Sequence, residues 1–367
     1  MMRCRYFEGT HPELETRLEA HFARVRHAFE EQGWRGALVL GGGYGRGEGG
    51  VMEGPAGPGF SNDLDYFLFD EAPGAARLEA WCREIERAES AALGIDVEIK
   101  CLRPAAVGDP SRSMMFADLV AGHVVVAGEA GFLERLREGL DYSRIEPEET
   151  TRLLWNRGSG LWFARCRMGR DGELPFVIRN HAKLKLALGD AWLCWQGQYT
   201  SRCRERAQRL AAAAIPDGFA ELRQWHAEGV AFKFHPVAAG PDWPQLAAES
   251  RVLGEVWGRL FLAVEAQRLQ RPLAGFAAYL ALPRVLPHSP PARNLALALR
   301  DQLKRGASIR PRRDYPRGGL MRALPCLLEL TPGGVAGAGR FLPAAAGDIS
   351  QLQTWEPVYT KWWAAYA

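Results

Sequence analysis

Leu38-Val39-Leu40 runs into Gly41-Gly42-Gly43-Tyr44-Gly45-Arg46-Gly47-Glu48, and after a segment rich in glycine and proline comes Asn62-Asp63-Leu64-Asp65-Tyr66-Phe67-Leu68-Phe69. The first stretch reads as a buried strand entering a tight turn, the second as a strand that opens on two carboxylates. Side chains at i and i+2 of a strand point to one face, so Asp63 and Asp65 share a face. Two like charges held side by side repel, and a divalent cation is their natural counter-charge. A glycine turn beside them lets backbone N–H groups approach a phosphate without a Cβ in the way. Carboxylates for metal next to a phosphate cradle imply phosphoryl or nucleotidyl transfer.

A third element follows at Gly94-Ile95-Asp96-Val97-Glu98-Ile99-Lys100, which alternates strictly. Ile95, Val97 and Ile99 are expected to face a core, and Asp96, Glu98 and Lys100 the opposite side. This strand offers two candidates, Asp96 and Glu98, for a third carboxylate.

Taken in order, these elements resemble the nucleotidyltransferase superfamily that includes DNA polymerase beta, kanamycin nucleotidyltransferase and the minimal nucleotidyltransferases. Gly42-Gly43-Tyr44-Gly45-Arg46-Gly47-Glu48 looks like the family's Gly-Ser-x-x-Arg-Gly-Glu turn. Asp63 and Asp65 match its metal pair, and Glu98 or Asp96 its later acidic residue. Gly43 stands where serine is commoner, and the stretch from Gly49 to Gly59 lengthens the gap to Asp63. That stretch reads as a mobile surface loop.

The resemblance implies a metal-dependent enzyme that moves a nucleoside monophosphate from an NTP, ATP among them, to an acceptor hydroxyl with release of pyrophosphate. Asp63 and Asp65 would hold two Mg²⁺ ions, joined by Glu98 or else Asp96 on the acceptor side. Gly42 and Gly43 would cradle the β- and γ-phosphates, with Arg46 adding positive charge. A small molecule is the expected acceptor. The alternatives are a protein acceptor, as in adenylylating members, and a non-catalytic nucleotide-binding or antitoxin-like module.

Two rival motifs fail. Gly45-Arg46-Gly47-Glu48-Gly49-Gly50 fits G-x-G-x-x-G formally, but glycine and proline follow where a dinucleotide site needs a helix. Around Ser159, Arg157-Gly158-Ser159-Gly160 lacks the second glycine spacing of a hydrolase elbow.

Composition bounds the rest. A hydrophobic content of 47% with 24% charged residues is that of an ordinary soluble globular protein, and 367 residues suffice for two domains. The net charge of +3 is small for this length and does not indicate a nucleic-acid partner, although Arg305–Arg317 is locally basic. Seven scattered cysteines without a C-x-x-C suggest reduced thiols and a cytoplasmic setting. No stretch has the length of a membrane span.

The expected fold class is α+β: a small mixed-sheet domain over residues 1–130, then a largely helical domain over 131–367. Leu14, Leu18, Phe22, Val25 and Phe29 mark a first amphipathic helix, with Thr10 as cap and Pro12 in its first turn. A second helix is expected over 75–92, with helices covering one side of the sheet, and His123–Ala127 reads as a further strand. Beyond it, helices are expected near 131–140, 147–168, 175–197, 200–214, 217–228, 245–270 and 272–281. A Pro/Arg-rich connector over 283–318 holds the short helix Asn294–Lys304, and Trp355–Ala367 closes the chain as a helix.

In the helix near 175–197, Asn180, Lys183 and Asp190 form a polar stripe among small residues, flanked by Arg179. Such a stripe marks a groove or a solvated face. Under the resemblance, Lys183 would reach the nucleotide phosphates from the helical domain. Tyr199 and Asn156 are further candidates for substrate contact.

Overall fold

Ala37–Leu40 (β1) is apolar throughout, and such a run suits a strand covered on both faces. The other strands are Val51–Gly54 (β2), Gly57–Phe60 (β3), Leu64–Phe69 (β4), Val97–Leu102 (β5) and Val124–Ala127 (β6). These assignments come from a computed structural model that describes residues 5–54, 57–237, 240–305, 313–343 and 347–367. The middle of the Pro/Arg-rich connector, 306–312, lies outside the described residues.

The main sheet has the order β5-β4-β1-β6. β1 is antiparallel to β4 and β6, while β4 and β5 run parallel, so the sheet is mixed. The crossover from β4 to β5 is the helix Ala76–Leu93, as a parallel connection requires. The architecture is α+β, with a helical region following the sheet.

One face of the sheet carries Leu38, Leu40, Leu64, Tyr66, Leu68, Val97 and Ile99, packed with Leu14, Leu18, Phe22, Val25, Phe29, Leu78 and Trp81 from helices Pro12–Glu31 and Ala76–Leu93. The first helix forms as its apolar spacing predicts. Its N-cap is His11, without a side-chain cap bond, so Thr10 does not cap it. The other face is also covered, contrary to expectation. Val39, Phe67 and Phe69 pack with Leu119, Val120 and Leu133 from helices Met114–Ala121 and Gly131–Arg137. Met114–Ala121 is a short and mostly apolar helix, so its periodicity is weak in the sequence.

The chain forms two compact units. The first joins Met1–Glu149 with Leu193–Val237, and the second joins Thr150–Trp192 with Ala238–Ala367. Helices Cys203–Ala212 and Leu222–Phe234, expected in a helical domain beginning at 131, thus lie in the unit that holds the sheet.

The second unit is helical, with Pro147–Arg167, Leu174–Trp195, Trp243–Arg268, Phe276–Ala281, Pro291–Arg305, Arg317–Leu327 and Leu352–Tyr366 supplying most or all of their length to it. Trp162, Trp257, Trp355 and Trp362 are buried in it. Among the described residues no helix is long and apolar enough to cross a membrane.

Candidate active site

Asp65 and Glu98 are direct neighbours in the parallel register of β4 and β5, and Leu64 pairs with Val97 beside them. Period-two alternation therefore puts both carboxylates on the face opposite Leu64, Tyr66, Val97 and Ile99. Along that face β4 reads Asp65, Phe67, Phe69. The two aromatics lie in the apolar cluster, and the acidic end of the strand lies beyond it. Asp63 and Asp96 precede the two strands, where the Leu64 N–H donates to the Asp96 carbonyl at 2.9 Å.

Glu98 records this crowding of charge. Burial raises its carboxyl above the usual carboxylate range, and Asp65, Asp63 and Asp96 push the same way against the opposing pull of Lys100. The four candidate carboxylates thus share one electrostatic neighbourhood. They are neighbours without a closed cage: among the described residues, no three His, Cys, Asp or Glu side chains form a ready metal-ligand set.

The glycine turn lies directly on Asp65. The Gly41 N–H donates to the Asp65 carbonyl at 2.8 Å. A Cβ built on Gly42 would lie 2.4 Å from Asp65 Oδ2, and Gly42 has φ +61. The positive φ favours glycine there, and a Cβ would push the Asp65 carboxylate aside. Residues Gly42–Gly45 form a single helical turn, closed by Gly45 N–H to the Gly41 carbonyl at 2.9 Å. The first amides of such a turn lack intrahelical acceptors, and they belong to Gly42 and Gly43.

The stretch after the turn is not a loose loop. β2 and β3 pair as a hairpin, with Val51 opposite Phe60 and Gly54 opposite Gly57, around residues 55–56, which lie outside the described set. Val51 and Phe60 are buried, and Phe60 stacks on Phe7. Gly50 N–H donates to Asn62 Oδ1 at 2.8 Å, and the Tyr44 hydroxyl donates to the Gly50 carbonyl at 3.2 Å. The hairpin is therefore pinned at its base, immediately before Asp63.

Arg46, expected to add positive charge near the phosphates, is committed to two carboxylates. Its guanidinium is nearly buried, 3.3 Å from Asp118 and 3.6 Å from Glu48. Glu48 is buried as well. It accepts from Lys233 Nζ at 2.9 Å and from the Cys203 N–H at 2.8 Å. Burial would raise the Glu48 carboxyl, but Lys233 and Arg46 hold it below its ordinary value. Tyr199 donates to both Asp118 oxygens at 3.2 Å, and Arg206 lies over the Tyr199 ring. Burial leaves Asp118 above the ordinary aspartate range despite Arg46, Arg206 and Lys233. Glu48 closes the motif turn in the sequence but carried no assigned role, and Asp118, Arg206 and Lys233 were missed; their only signal was charge within helical segments.

Lys183, Asn180 and Asp190 lie on the helix Leu174–Trp195 in the second unit. Lys183 is half-buried, Asp190 is buried, and Asn180 donates to the Phe176 carbonyl at 2.9 Å, so the stripe is not a freely solvated face. Asn156 is exposed in the same unit. Ser159 is buried and bonded to the Trp155 carbonyl and the Tyr359 hydroxyl, as befits a structural serine.

Compared with models of known protein families and with curated proteins, the chain matches none.

Proposed function

We propose that this chain is a Mg²⁺-dependent nucleotidyltransferase that transfers a nucleoside monophosphate from an NTP to an acceptor hydroxyl and releases pyrophosphate. The observation that carries the reading is the register of Asp65 with Glu98 beneath a glycine turn in which a Cβ on Gly42 would displace the Asp65 carboxylate. A metal site alone would not need a glycine turn against the carboxylate, and a plain turn would not need acidic residues on two adjacent strands.

The donor set fits the ion. Oxygen-only ligands suit a hard divalent cation, and Mg²⁺ is commonly held by one or two carboxylates together with substrate phosphates and water. That preference accounts for acidic neighbours without a closed cage, and it implies that metal and NTP bind together. When bound, Mg²⁺ supplies charge neutralisation on the triphosphate and lowers the pKa of an attacking hydroxyl.

The chain's own residues do the rest. Asp63 and Asp65 would hold the two Mg²⁺ ions that neutralise the triphosphate, and the Gly42 and Gly43 amides would donate to its phosphate oxygens. Glu98 is the better placed third carboxylate, because it pairs directly with Asp65 across the two parallel strands. Asp96 is the alternative. Arg46 acts indirectly, by tying the turn to Asp118 and Glu48.

Incubation with α-labelled NTPs, Mg²⁺ and a panel of aminoglycosides, tRNA and cell extract tests the reading. Label on an acceptor with matching pyrophosphate release, both lost in Asp65→Asn, is the expected result. Label on a protein band would make the acceptor a protein. Transfer of the γ-phosphate instead of the α-phosphate, or unchanged transfer in Asp65→Asn, would overturn the proposal.

A further inference from the structure

Away from the acidic face, Cys82 on the helix Ala76–Leu93 and Cys101 on β5 bring their sulfurs to 3.3 Å. Cys101 shares the strand parity of Val97 and Ile99, so it points to the helix side of the sheet and away from Glu98. Both thiols line an open groove of about 400 Å³, together with Gly74, Glu79, Arg83 and Glu86. β5 is an edge strand, which keeps the groove open to solvent. The other described cysteines, Cys166, Cys194, Cys203 and Cys326, are buried, whereas Cys101 is partly exposed.

We propose that Cys82 and Cys101 form a dithiol modification site that low-molecular-weight disulfides oxidise to an intrachain disulfide. Closing the bond requires the sulfurs to approach by roughly 1.3 Å, to the usual 2.05 Å of a disulfide. Cys101 is the attacking group, because it is partly exposed on the edge strand while Cys82 is buried. A thiolate is the nucleophile in such exchange.

The Cys101 thiolate attacks one sulfur of the small disulfide, whose S–S bond breaks and releases one thiolate. Cys82, losing its proton, then attacks Cys101 Sγ in the mixed disulfide and displaces the second thiolate. Two electrons pass from the cysteine pair to the small disulfide, and the two cysteine protons end on the released thiols. Glu79 and Glu86 outnumber Arg83 in the groove, so a cationic disulfide is favoured over an anionic one.

The test uses the whole protein, incubated with cystamine or with oxidised glutathione at equal concentration and low ionic strength. Non-reducing peptide mapping should find the Cys82 and Cys101 peptides joined, with a mass loss of two hydrogens, and cystamine should react about tenfold faster. Cys82→Ser should instead accumulate the mixed disulfide on Cys101. Wild-type protein in which these two peptides stay separate, or in which Cys101 keeps a stable mixed disulfide while Cys82 remains free, would overturn the proposal.

Discussion

At the residue scale the acidic pair was plain in the sequence, because alternation alone fixes which side chains share a strand face. Alternation does not set the register between strands, and it is the pairing of β4 with β5 that makes Asp65 and Glu98 neighbours. Gly42 is the sharper marker. Its positive φ and the closeness of Asp65 predict that Gly42→Ala costs about 1–3 kcal/mol, read as a lower urea midpoint, and abolishes transfer by displacing the carboxylate. What no motif could show is the fate of Arg46, since its partner Asp118 sits on a helix too short to announce itself. His21 was hidden for another reason: its partners come from two other elements, 45 and 68 residues away in sequence. It is fully buried, with Nδ1 2.7 Å from Glu89 and Nε2 2.7 Å from the Tyr66 hydroxyl. A neutral imidazole that donates to Glu89 and accepts from Tyr66 satisfies all three groups. Tyr66→Phe leaves Nε2 without its donor and should cost about 1–3 kcal/mol in unfolding free energy while leaving the acidic face untouched.

At the scale of elements, the strands of the main sheet and most helices were legible, while the hairpin and the helix Arg317–Leu327 were not. Glycine and proline in 49–59 argue for a loop, yet β3 accommodates Pro58 opposite Glu53 because a two-stranded ribbon has outer edges where no N–H is required. Its anchorage through Tyr44 and Asn62 is tertiary and leaves no periodic trace. Helix Leu222–Phe234 is tied to the glycine turn by the Lys233–Glu48 pair. Glu48→Gln removes the anion that Lys233 and Arg46 share and should destabilise the protein by about 3–5 kcal/mol, as breaking a buried pair does. Urea unfolding of the variant checks it, and a change within 1 kcal/mol would show that the tie is unimportant.

At the scale of the molecule, the α+β class followed from the sequence because the strands cluster early and helices follow. The division of the chain did not follow. The sheet-bearing unit recruits Leu193–Val237, and a reading that moves along the chain with one boundary cannot represent a discontinuous unit. That unit's stability should depend on pH. Burial lowers the His21 pKa in the folded state, with Glu89 opposing and Arg24 assisting. The unfolded chain then binds the extra proton, so stability is full above the unfolded value of about 6.5 and falls as pH drops through it. His21→Gln should flatten the unfolding free energy between pH 7.5 and 6, whereas an unchanged slope would assign the dependence to other groups.

The central claim is that the acidic corner under the glycine turn holds a divalent ion together with an NTP. Mn²⁺ binding followed by electron paramagnetic resonance, with and without a non-hydrolysable NTP, tests it most directly. Wild-type protein should bind Mn²⁺ at least tenfold more tightly when the nucleotide is present, and Asp63→Asn and Asp65→Asn should each abolish that gain while remaining folded. A nucleotide-independent Mn²⁺ affinity, or a gain that survives both substitutions, would contradict the account.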